Sequence, residues 1–117
     1  MLAKSARLTE SADFARATKS GLRFSTRNFV GYLYPTNSDQ PARAGLIISK
    51  NVGGSVTRHK IARKIRHTFR EIYSQLPNGG LLVVRALNSA HDADVAQEVT
   101  VIVGQLLKKL SDKVNQK

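Results

Sequence analysis

Cysteine is absent from the sequence, and so is any long apolar run. Without cysteine the chain can form neither a disulfide nor a thiolate metal site, which suits a reducing compartment. No apolar run approaches the roughly 20 residues that a membrane-spanning helix needs, and residues 1–9 lack the apolar stretch of a secretory signal. We therefore expect a cytoplasmic protein with no membrane partner.

Acidic residues are scarce where basic residues are dense. Between Phe14 and Arg70, twelve Lys or Arg accompany a single acid, Asp39. The flanking segments are balanced, with two basic against two acidic residues before and five against five after. The formal net charge of +11 therefore arises entirely in this middle segment. A solvated face of an ordinary protein rarely excludes acids over such a span, so a polyanion is the predicted partner.

The length of 117 residues and the 41% apolar content predict one folded domain, with flexible ends at residues 1–8 and 114–117. Periodicity and turn residues predict the element order α-β-β-β-α-β-α. The predicted helices cover residues 11–20, 55–76 and 92–114, and the predicted strands cover 23–25, 28–34, 45–49 and 80–86, with a loop at 35–41. This alternation indicates an α/β two-layer sandwich with a small mixed sheet.

Helix-end signals support these boundaries. Thr9 or Ser11 can cap the first helix, Asp13 suits its positive end, and Gly21 fits its C-terminal turn. Asp92, Asp94 and Glu98 are interpreted as helix-start residues of the last helix, which ends in lysines. Phe29, Leu46, Ile48 and Phe69 are predicted core residues, as are the apolar stripes of the two long helices, Ile61, Ile65, Phe69, Ile72 and Leu76 in one and Val95, Val99, Ile102, Leu106 and Leu110 in the other.

The helix over 55–76 carries an uninterrupted basic face. Opposite its apolar stripe lie His59, Arg63, Arg66 and Arg70, bordered by Lys60 and Lys64, and no acid follows until Glu71. Like charges at this spacing repel, and a bound anion relieves the repulsion. The preceding Val52-Gly53-Gly54-Ser55 adds a flexible turn and a free helix N-terminus, both suited to phosphate. The alternative interpretation is a solvated basic face.

Histidine chemistry offers no comparable pattern. No carboxylate accompanies His59 or His67 at the spacing of a catalytic triad or a metal site, and Asp92 and Asp94 beside His91 fit a helix cap. We therefore predict neither a catalytic site nor a metal site in the protein itself.

Residues 49–66 resemble the signature of the bacterial ribonuclease P protein subunit. That family shows Ser-Lys-Lys-x-Gly-x-Ala-Val, then Arg-Asn-Arg, then x-Lys-Arg-x-x-Arg, and this chain reads SKNVGGSVTRHKIARKIR. Further matches are Arg7-Leu8-Thr9 with Ala12-Asp13-Phe14, Arg27-Asn28-Phe29-Val30 with Tyr32, Arg43 with Gly45-Leu46, and Leu82 to Arg85. The chain departs from the family at His59 (usually Asn), Lys60 (Arg), Ala62 (Lys) and Thr18 (an aromatic in many members).

The resemblance implies a subunit of a ribozyme. In the family the RNA subunit is the catalyst and removes the 5′ leader of precursor tRNA, while the protein grips the leader between its first helix and its sheet and docks on the RNA subunit through its basic helix. The implied fold has a left-handed β-α-β crossover and is like the second domain of ribosomal protein S5. The implied partners are the RNA subunit and precursor tRNA, with no protein partner required. The protein itself would bind no cofactor, and Mg²⁺ would be held mainly by RNA.

The resemblance also assigns two sets of residues. The predicted RNA-subunit contacts are Arg58, His59, Lys60, Arg63, Lys64, Arg66 and Arg70, and the predicted leader contacts are Phe14, Arg16, Tyr32 and Lys50. Aromatic side chains serve single-strand binders as stacking surfaces. Phe14 could instead be a core contact under the first helix, and Tyr32 a surface cross-strand partner.

Three other functions remain open from the residues alone. The chain could be a ribosomal or other structural-RNA protein, a DNA-binding protein that places the basic helix in a major groove, or a protein-only nuclease. The signature around Arg58 favours the ribozyme subunit over the first two, and the lack of clustered acids to hold metal argues against the third.

Overall fold

The computed structural model describes residues 6–36 and 38–115, and its elements follow the predicted order. The three helices are α1 (Ser11–Ser20), α2 (Ser55–Ile72) and α3 (Val95–Asn115), and the four strands are β1 (Leu22–Ser25), β2 (Phe29–Pro35), β3 (Arg43–Ile48) and β4 (Gly80–Ala86). Short 3₁₀ turns occupy Lys50–Val52, Tyr73–Gln75 and Asn88–Asp92. Residue 37 of the predicted loop and the terminal residues 1–5 and 116–117 lie outside the described residues.

The predicted bounds of α1 and the predicted start of α2 are confirmed, but the caps of α1, the end of α2 and the start of α3 need correction. The N-cap residue of α1 is Glu10, and no side chain caps that end, so neither Thr9 nor Ser11 has the predicted role. The last predicted turn of α2 is a 3₁₀ turn, yet Leu76 still reaches the core. At the start of α3, Asp94 Oδ1 accepts a hydrogen bond from the Gln97 amide at 3.2 Å, so the helix begins after this residue rather than at 92.

The sheet has the order β1-β2-β4-β3. β1, β2 and β4 pair antiparallel, whereas β3 and β4 are parallel and are connected through α2. β3 is thus an edge strand, and the chain before α1 lies along it: Arg7 bridges Ala44, and the Leu8 amide donates to the Ala44 carbonyl at 3.0 Å. Ala6 and Leu8, within the segment predicted to be flexible, are buried.

Helices cover both faces of the sheet, but unequally. α2 and α3 cover what we call the packed face, where residues such as Phe29, Leu33, Leu82 and Val84 join the helices' apolar stripes in the main core. The sheet forms one layer and the two helices α2 and α3 form the other, which is the predicted two-layer sandwich. α1 lies on the opposite face, where Leu8, Ala17, Leu81 and Val83 form a small buried cluster bordered by half-buried Phe14, Tyr32, Tyr34 and Ile47. We call this second side the groove face.

Within the described residues, no helix has the length and apolar character needed to cross a membrane.

Candidate RNA interface

The exposed side of α2 is basic along its length. Its apolar stripe is buried in the core, which turns the opposite side chains to solvent. The exposed members are His59, Lys60, Arg63, Lys64, Arg66 and Arg70, and Arg58 is half-buried. Within residues 6–36 and 38–115, no salt bridge engages any of the Arg or Lys residues of this helix. The predicted RNA-subunit residues thus form one continuous surface with little internal charge compensation.

The N-terminal end of α2 adds backbone donors to this surface. Gly54 is the N-cap residue, no side chain caps it, and the first turn holds no acid. Lys50 is exposed in the 3₁₀ turn that leads from β3 towards the helix. The Nε of Arg58 is buried without a hydrogen-bond partner among the described residues. Free helix amides and nearby cations are the arrangement that binds phosphate.

A groove of about 420 Å³ opens beside the edge of β3. Its walls are the chain before α1, the first turn of α1, the start of β3 and the flank of α2. The groove is lined by Arg7, Leu8, Thr9, Phe14, Ala44, Gly45, Leu46, Arg66 and Phe69. Phe14 lies directly over Gly45, since a Cβ on that glycine would come within 2.6 Å of the ring's Cζ. The structure therefore brings together Phe14, a predicted leader contact, and Arg66, a predicted RNA-subunit contact.

The other predicted leader residues lie near Phe14 on the groove face, with one exception. Tyr32 borders the same small cluster and is half-buried. The guanidinium of Arg16 lies 5.2 Å from the ring centroid of Tyr34. Lys50 belongs instead to the turn before α2. Half-buried rings with adjacent cations present stacking surfaces and phosphate contacts on one face, the combination that single-stranded nucleic acids bind.

Two acids play parts that the sequence did not predict. Asp13, expected only to favour the helix dipole of α1, is buried and lies 3.4 Å from Arg16 Nη1 and 3.2 Å from Arg43 Nη1. Glu98, expected only at a helix start, accepts hydrogen bonds from Thr26 Oγ1 at 2.7 Å and from the Asn28 amide and Nδ2 at 3.0 and 2.6 Å. Arg16 is a local i,i+3 partner on the same helix. Arg43 lies 30 positions from Asp13, and the partners of Glu98 lie about 70 positions from it, so no local pattern could identify these contacts.

The histidines lie apart from any carboxylate cluster. Among the described residues, no group of three or more His, Asp or Glu could hold a metal ion. His67 Nε2 lies 3.2 Å from Glu71 Oε1 on exposed helix surface, so this histidine has a carboxylate partner one turn along α2 that was not expected from the sequence. The His91 Nδ1 lies 3.3 Å from the Asn88 carbonyl oxygen.

Comparison with known proteins gives a consistent result. The family model Ribonuclease P matches residues 2–111. The ribonuclease P protein component of Streptomyces avermitilis is 43% identical over 105 residues, which cover 83% of this chain and 85% of that protein. A Staphylococcus aureus RNase P protein mutant with defective mRNA degradation activity has a TM-score of 0.76 at 30% identity, covering 92% and 90% of the two chains. The RNase P protein from Thermotoga maritima has a TM-score of 0.69 at 25% identity, covering 88% and 96%.

Proposed function

The chain belongs to the ribonuclease P protein family, and from that premise we propose that it supports 5′ maturation of tRNA through two distinct RNA-binding surfaces. As the protein component it is the partner of a catalytic RNA subunit. The basic side of α2 docks on that RNA subunit. The groove face holds the 5′ leader of precursor tRNA.

The observation that carries this proposal is the uncompensated charge of α2. Five Lys or Arg side chains of α2 are exposed, and among the described residues none of them forms a salt bridge. Their charges repel one another in the free protein and are attracted to the phosphates of RNA. The α2 residues Arg58, His59, Lys60, Arg63, Lys64, Arg66 and Arg70 are the proposed contacts to the RNA subunit. Backbone amides at Gly54 and beyond supply further phosphate donors.

The groove face suits a single strand better than a duplex. Phe14 and Tyr32 offer half-buried rings on which bases stack, while Arg16 supplies a cation for the connecting phosphates. Lys50, the fourth proposed leader contact, lies off this face in the turn before α2. Arg66 lines the groove beside Phe14, so it is the residue at which the two surfaces meet. A leader that leaves the groove here passes directly onto the basic helix.

The chemistry belongs to the RNA subunit in this proposal. The protein's side chains bind and orient RNA, and Mg²⁺ is held mainly by RNA in the assembled enzyme, in the cytoplasm and without any further protein subunit. Purified protein freed of RNA should not cleave precursor tRNA, yet it should stimulate its RNA subunit, most clearly at low Mg²⁺. Because a mutant of the Staphylococcus aureus protein is defective in mRNA degradation activity, the same preparation should also be tested on mRNA. Turnover of either RNA by protein alone would contradict the assignment of catalysis to RNA.

The two surfaces can be separated with one variant each. Arg63→Ala removes an exposed cation that lies outside the Phe14 groove, so it should weaken assembly with the RNA subunit and flatten the salt dependence by about one unit of slope. Phe14→Ala should leave assembly intact and weaken binding of precursor tRNA to the assembled enzyme by roughly 1–3 kcal/mol, the worth of a stacked base.

Mature tRNA is the control for both variants. It carries no leader, so Phe14→Ala should not change its affinity for the assembled enzyme. An equal loss for precursor and mature tRNA would show that Phe14 is only a packing residue, and the groove assignment would fall. If Arg63→Ala assembles with the RNA subunit as the wild type does, the assignment of the basic helix to that interface would be rejected.

A further inference from the structure

The buried carboxylate of Asp13 stands out because it lies between two arginines, next to the groove that we propose for RNA. Besides Thr68, it is the one polar or charged residue in the described parts of the chain that is buried. An acid beside a groove for RNA should weaken binding of the phosphates, unless its charge is used for something else. Its contacts indicate what that use is.

Asp13 ties α1 to the sheet along two routes. Its Oδ2 lies 3.2 Å from Arg43 Nη1, which fixes α1 directly to the first residue of β3. Its Oδ1 lies 3.4 Å from Arg16 Nη1, and the Arg16 guanidinium lies over the ring of Tyr34 in β2. Since β4 separates these two strands, one carboxylate fixes the helix across three strands of the sheet.

These contacts adjoin the Phe14 ring in the sequence and in space. Asp13 precedes Phe14 on α1, and Arg43 is two positions before Gly45 on the same face of β3. The pair Asp13–Arg43 therefore lies next to the pair Phe14–Gly45, in which the ring contacts the strand backbone. A shift of α1 over β3 would move the ring out of the groove.

Apolar packing holds α1 less firmly than it holds the two long helices. A helix of ten residues is marginal by itself, and its N-terminal end has no side-chain cap. Ala17 is its one buried apolar residue, and the cluster that it joins has only four members among the described residues. The ion pairs of Asp13 consequently have more influence on the position of this helix than ion pairs have on α2, which is embedded in the main core.

We propose that Asp13 is a positioning residue of the leader groove, which acts through Arg43 and Arg16 to hold α1, and with it Phe14, in the orientation that binds the 5′ leader. This inference rests on the proposed function of the groove face. Asp13 itself does not contact the leader, because its carboxylate is buried between two guanidinium groups.

Asp13→Asn tests the proposal, because the two possible roles of the carboxylate change the affinity for precursor tRNA in opposite directions. If the carboxylate acts only through its charge, its removal makes the groove more positive and should tighten binding of precursor tRNA. If it positions α1, the assembled enzyme should bind precursor tRNA about fivefold more weakly or worse, a coupling typical of residues in one network, while mature tRNA binds as before. Asp39→Asn is the matched control, since it changes the net charge equally at an exposed loop residue and should leave both affinities unchanged.

Asp13→Glu and Arg43→Gln complete the set. Asp13→Glu keeps the charge and should recover part of the lost precursor affinity, and thermal melts show whether each variant folds. Should Asp13→Asn not fold, Arg43→Gln breaks the contact to β3 alone and should give the same leader-specific loss. Tighter or unchanged precursor binding, or an equal loss for both tRNAs, would overturn the proposal.

Phe14→Ala, measured alongside, separates failure of this inference from failure of the groove. A leader-specific loss in Phe14→Ala without one in Asp13→Asn rejects the positioning role and keeps the groove. Absence of any leader-specific loss in both variants rejects the groove and the positioning role together.

Discussion

The two faces of the sheet use the same kinds of side chain for different ends. On the packed face, strand residues such as Phe29 and Leu33 are almost completely buried beneath two long helices. On the groove face, Phe14, Tyr32 and Tyr34 remain half-buried around four buried residues and one short helix. Apolar burial on the first face supplies most of the folding free energy, and the second face keeps aromatic surface available for a ligand.

Charged side chains on α3 and on α2 also differ in whether the protein itself supplies their partners. Glu98 on α3 is saturated by hydrogen bonds from the β1–β2 connection, so that it reinforces the fold. The cations of α2 have no such partners among the described residues. Glu98 is thus satisfied within the fold, whereas the α2 cations proposed to bind the RNA subunit have no salt-bridge partner among the described residues.

The largest difference between the two faces is expected when one phenylalanine on each face is replaced by alanine. Phe29→Ala leaves a cavity in the main core and should lower the free energy of unfolding by about 3–5 kcal/mol. Phe14→Ala removes a half-buried ring and should cost about 1 kcal/mol or less, because the site is open to water. Urea denaturation at constant temperature measures both. Equal losses would show that the groove face is ordinary core.

Two strand glycines provide a second pair with a smaller effect. A Cβ at Gly31 would come 2.1 Å from Ile102 Cγ2 in the main core, so Gly31→Ala should destabilise the protein by about 1–3 kcal/mol through overpacking. At Gly45 the nearest atoms belong to the Phe14 ring, which can turn outward. Gly45→Ala should therefore cost less stability and mainly weaken precursor tRNA binding. A larger stability loss at Gly45 than at Gly31 would reverse the assigned roles of the two faces.

The smallest expected effect concerns anions. Sulfate binds the folded protein preferentially and relieves repulsion on α2, so it should raise the thermal midpoint by about 4 °C, the shift that roughly 1 kcal/mol gives in a small domain. The reference is chloride at equal ionic strength. Phe14→Ala should keep this shift and Arg63→Ala should reduce it. A midpoint that does not respond to sulfate would argue against anion binding by the free protein.

Local patterns predicted most of the fold. The stripe from Ile61 to Ile72 identified the buried side of α2 and thereby its basic side, because both follow from a period of 3.6 residues. The strand bounds were close because apolar, β-branched and aromatic runs bounded by turn residues are also local signals, and β4 was predicted at its observed limits. Helix ends were less certain: α1 has Glu10 at its N-cap although Thr9 and Ser11 have better capping side chains.

The two proposed RNA-binding surfaces also differ in how far local sequence patterns could predict them. The basic surface of α2 lies on one element, so its members could be named from the sequence in a single step. The groove is built from Phe14, Gly45 and Arg66, which belong to three different elements, and sequence reasoning assigned two of them to different surfaces. Without the family resemblance, nothing near Phe14 in the sequence separates a groove residue from a core residue.

The sequence by itself determined the order of elements, their buried stripes and the concentration of positive charge on one helix. Each of these depends on residues a few positions apart, where backbone geometry relates spacing to direction. Only the tertiary structure decided that β3 is an edge strand, that the Phe14 ring lies on Gly45, and that Asp13 meets Arg43. Those contacts join residues about 30 positions apart, and they depend on how the packed sheet places distant segments together rather than on any local period.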